Sequence, residues 1–131
     1  MSVAKVAATV HHAALDRVRG IDAVYRPHDN TEAIEMRLVP AGHDQSSYET
    51  EEEEFSARTQ PWLVLVEAFL ASVNRLPEEG DEIDVDIADH VLLDRRTYLV
   101  SRADEPRPWS YNDDHATQLR IESVEVMPHR E

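Results

Sequence analysis

Histidines and carboxylates are the residues of this chain that could carry out chemistry. The sequence contains no cysteine. The lack of cysteine removes disulfides, thiol nucleophiles and cysteine-ligated metals from consideration. His11 and His12 are neighbours on a predicted helix and lie about 100° apart around its axis. They cannot bind one metal ion as a pair spaced i, i+4 would. We therefore expect no metal site at this point.

Two acidic segments contain metal-ligand residue types but have a simpler structural interpretation. In Asp113-Asp114-His115, His115 with either aspartate could serve a metal-dependent hydrolase, although aspartates also form turns before strands. The aspartates between positions 81 and 89 resemble a calcium loop, but Ile83 and Val85 alternate with them and the glycine that such a loop requires is missing. These carboxylates fit the solvent-facing side of a strand.

Other catalytic arrangements are missing from the sequence. A glycine-rich phosphate loop is excluded because the three glycines, Gly20, Gly42 and Gly80, are far apart. No serine occupies a nucleophile elbow. We therefore predict a protein that is not an enzyme, with no catalytic residues, no metal and no cofactor.

Net charge and hydropathy argue against two classes of partner. The chain has 27 acidic and 13 basic residues and a formal charge of -14, which repels phosphate backbones and argues against sequence-specific contact with nucleic acid. The sequence has no run of about 18 apolar residues and no signal-like leader, so we expect no membrane partner and a cytoplasmic protein.

An N-terminal helix is predicted from about Ser2 to Arg19. Ser2 can cap it, Arg17 and Arg19 suit its negative C-terminal end, and Gly20 fits a left-handed position after it. Apolar residues recur at helical spacing on one narrow face, at Val3, Val6, Ala7, Val10, Ala14 and Val18. We expect this face to pack on a sheet or on a neighbouring subunit.

The remaining apolar segments predict strands. Alternating apolar and polar residues predict a strand with one wet face at 83–87, whereas 97–100 has too few polar residues for a wet face. Residues 68–73 could extend the apolar strand at 62–66 past a bend or form a short helical turn. Further strands are predicted at 21–26, 33–39 and 118–126. The fold class is mainly β (α+β): a small β-barrel or β-sandwich of about six antiparallel strands with an N-terminal helix.

One domain of four parts is expected: an N-terminal helix at 1–20, a β-hairpin at 21–40, an acidic flexible loop at 42–60 and a β core at 61–131. The acidic loop has almost nothing to bury, and its consecutive glutamates repel one another. Long loops in compact domains are either functional or disordered. Its candidate interaction residues are Tyr48, Glu51, Glu52, Glu53 and Glu54.

The segment at 105–114 is too proline-rich for a helix and carries two aromatic residues, Trp109 and Tyr111. Large aromatic side chains either fill a core or lie in an interface. A small-ligand or peptide-binding β-barrel module with a pocket beneath these two residues is therefore an alternative function.

Several short motifs, taken in order, resemble the small head-tail joining proteins of tailed bacteriophages and prophages. The motifs are Val24-Tyr25-Arg26, Glu67-Ala68-Phe69-Leu70, Pro77-x-x-Gly80-Asp81-x-Ile83, Asp94-Arg95-Arg96-Thr97-Tyr98-Leu99-Val100, Trp109-Ser110-Tyr111-Asn112-Asp113 and Thr117-x-Leu119-Arg120-Ile121. The resemblance covers about two thirds of the chain.

The resemblance implies a ring-shaped homo-oligomer in the virion neck, through which DNA passes, with portal-side and tail-side phage proteins as partners. It also implies roles for single residues. Gly80 and Asp81 would form a turn, Trp109 and Tyr111 would anchor the segment that ends at Asp113, and Arg120 would pair with an acidic neighbour on the sheet.

Overall fold

A computed structural model describes residues 3–30, 32–41, 59–88, 93–102 and 107–126. The acidic loop residues at 42–58 lie outside this part of the chain, so Tyr48 and Glu51 to Glu54 have no described structure. Within the described ranges the chain forms two helices and eight strands. They are α1 (Val3–Arg19), β1 (Ile21–Arg26), β2 (Ile34–Pro40), β3 (Trp62–Leu65), α2 (Val66–Val73), β4 (Glu82–Ala88), β5 (Leu93–Val100), β6 (Trp109–Tyr111), β7 (Gln118–Ile121) and β8 (Ser123–Val126).

The strands form one curled antiparallel sheet in the order β6-β7-β3-β2-β1-β4-β5-β8. β7 and β8 are consecutive in the chain and separated only by Glu122, yet β7 pairs with β3 while β8 pairs with β5. This short run therefore brings the two ends of the sheet together. The Trp62 indole N–H donates to the Ser123 hydroxyl at 2.8 Å, and that hydroxyl donates to the Gln60 carbonyl at 2.7 Å. The result is the half-barrel that the mainly β prediction anticipates.

The core lies on the concave side of the sheet and contains two aromatic pairs. The rings of Tyr25 and Phe69 meet edge to face at 5.0 Å, and those of Trp62 and Tyr98 at 5.2 Å. Phe69 comes from α2 and is fully buried. The segment whose periodicity left strand and helix open is therefore a helix, and it covers the core with one aromatic side chain.

Asn74 ends α2. It adopts the left-handed conformation, with φ of 69°, and its N–H donates to the Leu70 carbonyl. By contrast, Gly20 after α1 is not left-handed, which corrects the sequence-based expectation. A Cβ at Gly20 would lie 2.5 Å from the Asp16 carbonyl oxygen and 2.8 Å from Arg37 Nη2. Glycine is required there because the chain passes closely beside its neighbours.

The polar side of α1 packs on the outer face of the sheet. His12 is 6% exposed, and its Nδ1 lies 2.8 Å from Gln118 Nε2 on β7. Arg37 of β2 donates to the Asp16 carboxylate and to the carbonyls of Asp16 and Gly20, so it caps the C-terminal end of the helix.

The apolar side of α1 faces away from the sheet. The exposed fractions of Val3, Val6, Val10 and Val18 are 85%, 45%, 63% and 82%. Because His12 and Val3 are nine residues apart, they lie about 180° apart around the helix. The apolar face that the sequence identifies is real, but it does not pack on the sheet of its own chain.

The sequence did not predict β6, and it predicted one strand at 118–126 where the structure has two, β7 and β8. Trp109–Tyr111 pairs with β7, with Trp109 opposite Ile121 and Tyr111 opposite Leu119. Three residues after a proline-rich stretch carry no periodic signal of their own. The pairing depends on β7, which lies several residues farther along the chain.

Stability should depend on pH through His12. Burial is the main cause that lowers the pKa of His12; Asp16 raises this pKa and His11 lowers it, each by a smaller amount. The folded protein therefore favours the neutral imidazole. The stabilisation is complete above the ordinary pKa of about 6.5 and is lost as the pH falls below it. Urea unfolding between pH 7.5 and pH 5.5 should show this loss in the native sequence and a smaller loss in His12→Asn.

His11→Asn is the matched control, since His11 is adjacent but exposed. It should retain the pH dependence of the native chain. Equal pH dependence in the His12 and His11 variants would contradict the assignment to His12.

Candidate functional site

The carboxylate of Asp81 lies at the centre of the largest polar cluster in the described part of the chain. It is fully buried and accepts five hydrogen bonds. Tyr25 Oη donates at 2.6 Å, the backbone N–H groups of His28 and Glu78 donate at 2.9 and 3.1 Å, and Arg75 donates through both Nη atoms at 2.9 and 3.0 Å. The cluster joins β1, the turn after it and the segment between α2 and β4.

Arg75 connects this carboxylate to a second one. Its Nε and Nη2 donate to Asp29 at 3.0 and 2.9 Å, and its Nη1 also donates to the Leu76 carbonyl at 2.8 Å. The hydrogen bonds from Asp81 and then Asp29 raise the pKa of Arg75 above its ordinary value. One guanidinium therefore fixes the turn after β1 against the loop before β4.

The backbone around Asp81 continues the network into β5. The Val100 N–H donates to the Asp81 carbonyl at 2.8 Å, and the Gly80 N–H donates to the Val100 carbonyl at 3.2 Å. Gly80 has a φ of 98°, a backbone conformation that residues other than glycine rarely adopt. A Cβ at Gly80 would lie 3.5 Å from His28 Cβ, so backbone conformation rather than lack of space requires glycine.

The electrostatics of the cluster suit a structural group rather than a proton carrier. Burial alone would raise the pKa of Asp81, but the hydrogen bonds from Arg75, Tyr25 and two backbone N–H groups outweigh it and hold the pKa below its ordinary value. Burial is the main cause that raises the pKa of Tyr25, and the hydrogen bond to Asp81 raises it further. Asp81 remains a carboxylate and Tyr25 remains a phenol at neutral pH.

Trp109 lies next to the loop that carries Gly80 and Asp81. It is half-buried against the core, and the Arg107 guanidinium carbon lies 4.4 Å from the centre of its ring. An open groove of about 440 Å³ separates Trp109 from the loop, and it is lined by Leu76, Pro77, Glu78, Glu79, Arg107, Pro108 and Trp109. Three of these seven residues are charged and the groove is open to solvent, so it is unlike the enclosed apolar pocket that the binding-module alternative requires.

Tyr111 extends the same strand outward. It is 46% exposed, and its ring meets that of Trp109 at 5.2 Å. The structure therefore places the two aromatic residues of this segment differently, with Trp109 against the core and Tyr111 toward solvent.

Asp113 shapes the turn between β6 and β7. Its Oδ1 accepts from the N–H groups of Thr117 and Gln118 at 2.9 and 2.8 Å. Burial opposes ionisation here, but the backbone hydrogen bonds prevail and lower the pKa of Asp113. The bonding is that of an aspartate turn before a strand.

No metal centre is formed by the parts of the chain that the structure describes. No three histidine, aspartate or glutamate side chains in those parts lie close enough to hold one ion. The hydrolase alternative built on His115 with Asp113 or Asp114 therefore has no structural support there.

Arg120 lies on the outer face of β7. Its Nε contacts Glu122 Oε2 at 2.8 Å, so Glu122 is the acidic neighbour with which it pairs. Arg120 is separated from the Asp81 cluster in the sheet, and the motif positions do not converge on one reactive centre. Gly80 and Asp81 lie in one turn, and Trp109 lines a groove with the residues just before that turn, at 76–79.

Sequence reasoning missed Arg75 as the main partner of Asp81. The available signal was its isolation, since no other lysine or arginine lies between Arg58 and Arg95 in a strongly acidic stretch. A single cation six residues before an aspartate at a turn is a candidate partner for that carboxylate.

Comparison with known proteins gave one result. Residues 1–130 match the family model described as phage head-tail joining protein. No curated protein and no solved structure matches the chain. Helices long and apolar enough to cross a membrane do not occur in the residues that the structure covers.

Asp81→Asn should lower the free energy of unfolding by about 3–5 kcal/mol, because it removes the buried charge that Tyr25, two backbone N–H groups and Arg75 share, and Arg75 keeps only more exposed counter-charges such as Asp29. Urea denaturation at pH 7 measures the change. Asp22→Asn is the control, since the Asp22 side chain is 91% exposed, and it should change stability by less than about 0.5 kcal/mol.

The same pair of variants provides a test by pH. A carboxylate with a lowered pKa stabilises the fold above its ordinary pKa, and this contribution is lost as the pH falls through the folded-state value. The native chain should lose stability below about pH 4, and Asp81→Asn should lose less. Equal stability of the Asp81 and Asp22 variants at neutral pH would show that Asp81 does not stabilise the fold.

Proposed function

Because the chain belongs to the phage head-tail joining protein family, we propose that it is a subunit of the virion neck that forms a ring through which DNA passes. The observation that carries this proposal is the family match over residues 1–130. The family is one of structural phage proteins whose role is contact with other head and tail proteins. In this proposal the chain acts by assembly and without catalysis.

The charge of the chain supports passage of DNA without binding. A formal charge of -14 on 131 residues repels a polyanion and gives it no attractive site at which to stop. A ring of such subunits would surround DNA with a field of the same sign as its phosphates. This argument is independent of the family match.

The proposed ring has portal-side and tail-side phage proteins as further partners. We assign the acidic segment that contains Tyr48 and Glu51 to Glu54 to contact with these partners or with the lumen. The assignment depends on sequence alone: the segment has few residues to bury and a high density of charge.

Light scattering across a concentration series tests the ring. The mass should rise above 15.0 kDa toward a fixed multiple of it as the concentration increases. Assembly should be stronger at 0.15 M salt than at low salt, because at about 0.15 M the Debye length is only about 8 Å and the repulsion between subunits of charge -14 is screened. A single-chain mass in every condition would contradict self-assembly and favour the binding-module alternative.

Deletion of Ser46 to Glu54 tests the role of the acidic segment. The shortened chain should retain the circular dichroism spectrum and the folded stability of the full chain, because the sequence of this segment has almost nothing to bury. Its assembly, measured by light scattering, should be impaired. Normal assembly of the deletion variant would show that the segment is not needed for assembly. Loss of the folded spectrum would show that the segment stabilises the fold instead.

A further inference from the structure

α1 contributes nothing to the hydrophobic core of the described chain. The twelve buried residues of the core come from β1 to β5, from β7 and from α2. Of the α1 side chains that the structure describes, only that of His12 is buried. The helix can therefore leave the sheet without opening the core.

A chain of side-chain hydrogen bonds holds His12 to β7. Asn112 Nδ2 donates to Gln118 Oε1 at 2.6 Å, which leaves Gln118 Nε2 as the donor to His12 Nδ1 at 2.8 Å. A histidine nitrogen accepts a hydrogen bond only while it carries no proton. The docked helix thus requires an imidazole that is unprotonated at Nδ1.

A proton on Nδ1 would set two donors against each other. Gln118 can present its oxygen to His12 instead only if the amides of Gln118 and Asn112 both turn over. Even after that rearrangement the charged ring would remain in a position where His12 is 6% exposed. Burying a charge is costly unless an opposite charge pairs with it.

The charged groups near His12 on α1 and β2 do not supply that opposite charge. Asp16 lies one turn farther along α1, but Arg37 of β2 already donates to its carboxylate at 3.1 and 3.2 Å. Glu35 of β2 is exposed to solvent, as is His11. Burial outweighs the attraction of Asp16 and lowers the pKa of His12.

The other elements that face His12 add no carboxylate of their own to this side. Arg120 lies on the outer face of β7 and is paired with Glu122. An open groove of about 370 Å³ runs beside His12 and gives water access to it. β3 and α2 line this groove only with uncharged residues, which are Val64, Leu65, Ala68, Phe69 and Ser72.

From this arrangement we propose that protonation of His12 switches the docking of α1. The neutral imidazole holds the helix on the sheet, and a proton taken from water at Nδ1 releases it while the half-barrel stays folded. This inference goes beyond the neck function proposed above and does not depend on the ring.

The joint between α1 and β1 allows the movement. α1 ends at Arg19 and β1 begins at Ile21, so Gly20 alone links them. Arg37 Nη2 donates to the Gly20 carbonyl at 3.0 Å, so the last turn of the helix stays in place and release begins at the N-terminal end. Release uncovers the outer side of β3 and β7 beneath the helix.

Hydrogen–deuterium exchange on the full chain tests the switch. A helix of 17 residues that has left the sheet is only marginally stable, so its amides exchange. Protection factors, corrected for the intrinsic exchange rate, are compared at pH 7.5 and pH 5.5. α1 should lose protection by up to about ten-fold, the most that one group with an ordinary pKa of about 6.5 allows over this range. β1, β4 and β5 should keep theirs.

Three variants, measured at the same protein concentration as the native chain, assign the effect. His12→Asn keeps an acceptor where Nδ1 lies but does not titrate, so its α1 should be equally protected at both pH values. In Gln118→Glu the carboxylate accepts from a protonated imidazole, so α1 should be protected at least as well at pH 5.5 as at pH 7.5. His11→Asn is the matched control, since His11 is adjacent but exposed, and it should behave like the native chain.

Four results would overturn the proposal. The first is equal protection of native α1 at both pH values. The second is a loss by the same factor in α1 and in the core strands, because the helix would then open only with the whole fold. The third is an undiminished loss in His12→Asn, and the fourth is a loss in a folded Gln118→Glu chain as large as in the native one. If Gln118→Glu does not fold, the comparison of His12→Asn with His11→Asn decides alone.

Discussion

The buried carboxylate of Asp81 is the interaction on which the described fold most depends. Its five hydrogen bonds join it to residues up to 56 positions away in the chain, and they include Tyr25 on β1 and Arg75 after α2. A buried charge is costly unless it is paired and fully hydrogen-bonded. Here the donors come from β1, from the turn after it and from the segment between α2 and β4, so the carboxylate is satisfied only when these segments meet in the native arrangement. The glycine before it is required because the backbone must turn with a positive φ to aim the carboxylate inward.

The run β7-β8 imposes the second constraint, because it closes the sheet. β7 pairs with β3 and β8 pairs with β5, so the four residues on each side of Glu122 hold the two ends of the sheet together. Ser123 reinforces the joint, since its hydroxyl accepts from the Trp62 indole and donates to the Gln60 carbonyl. A small chain without disulfides gains rigidity in this way, because closure leaves fewer sheet edges and buries both aromatic pairs. The loop network at Asp81 and the joint at Ser123 stabilise different sides of the same core.

Local patterns predicted the elements whose signals are local, and they failed where distant contacts decide. Alternation at Ile83 and Val85 predicted β4, and alanine and valine periodicity predicted α1 within one residue of its observed start. β6 was missed because its three residues become a strand only through pairing with β7. Arg75 was missed as the partner of Asp81 because Arg75 lies in a loop, and a loop has no periodic signal from which this contact could be predicted. Periodicity also found the apolar face of α1 but could not decide what covers it, since a hydrophobic stripe has the same pattern whether it packs on its own sheet or on another molecule.

The orientation of α1 reverses the usual rule for a surface helix. An amphipathic helix normally turns its apolar face to its own core, yet here a buried histidine, an aspartate and an arginine from β2 hold the polar face against the sheet. These polar contacts are specific in geometry and fix the direction in which the valines point. The valines are thereby left exposed, while the charge of -14 repels other copies of the chain at long range. Polar contacts to the sheet, rather than burial of apolar surface, therefore decide how α1 sits on the fold.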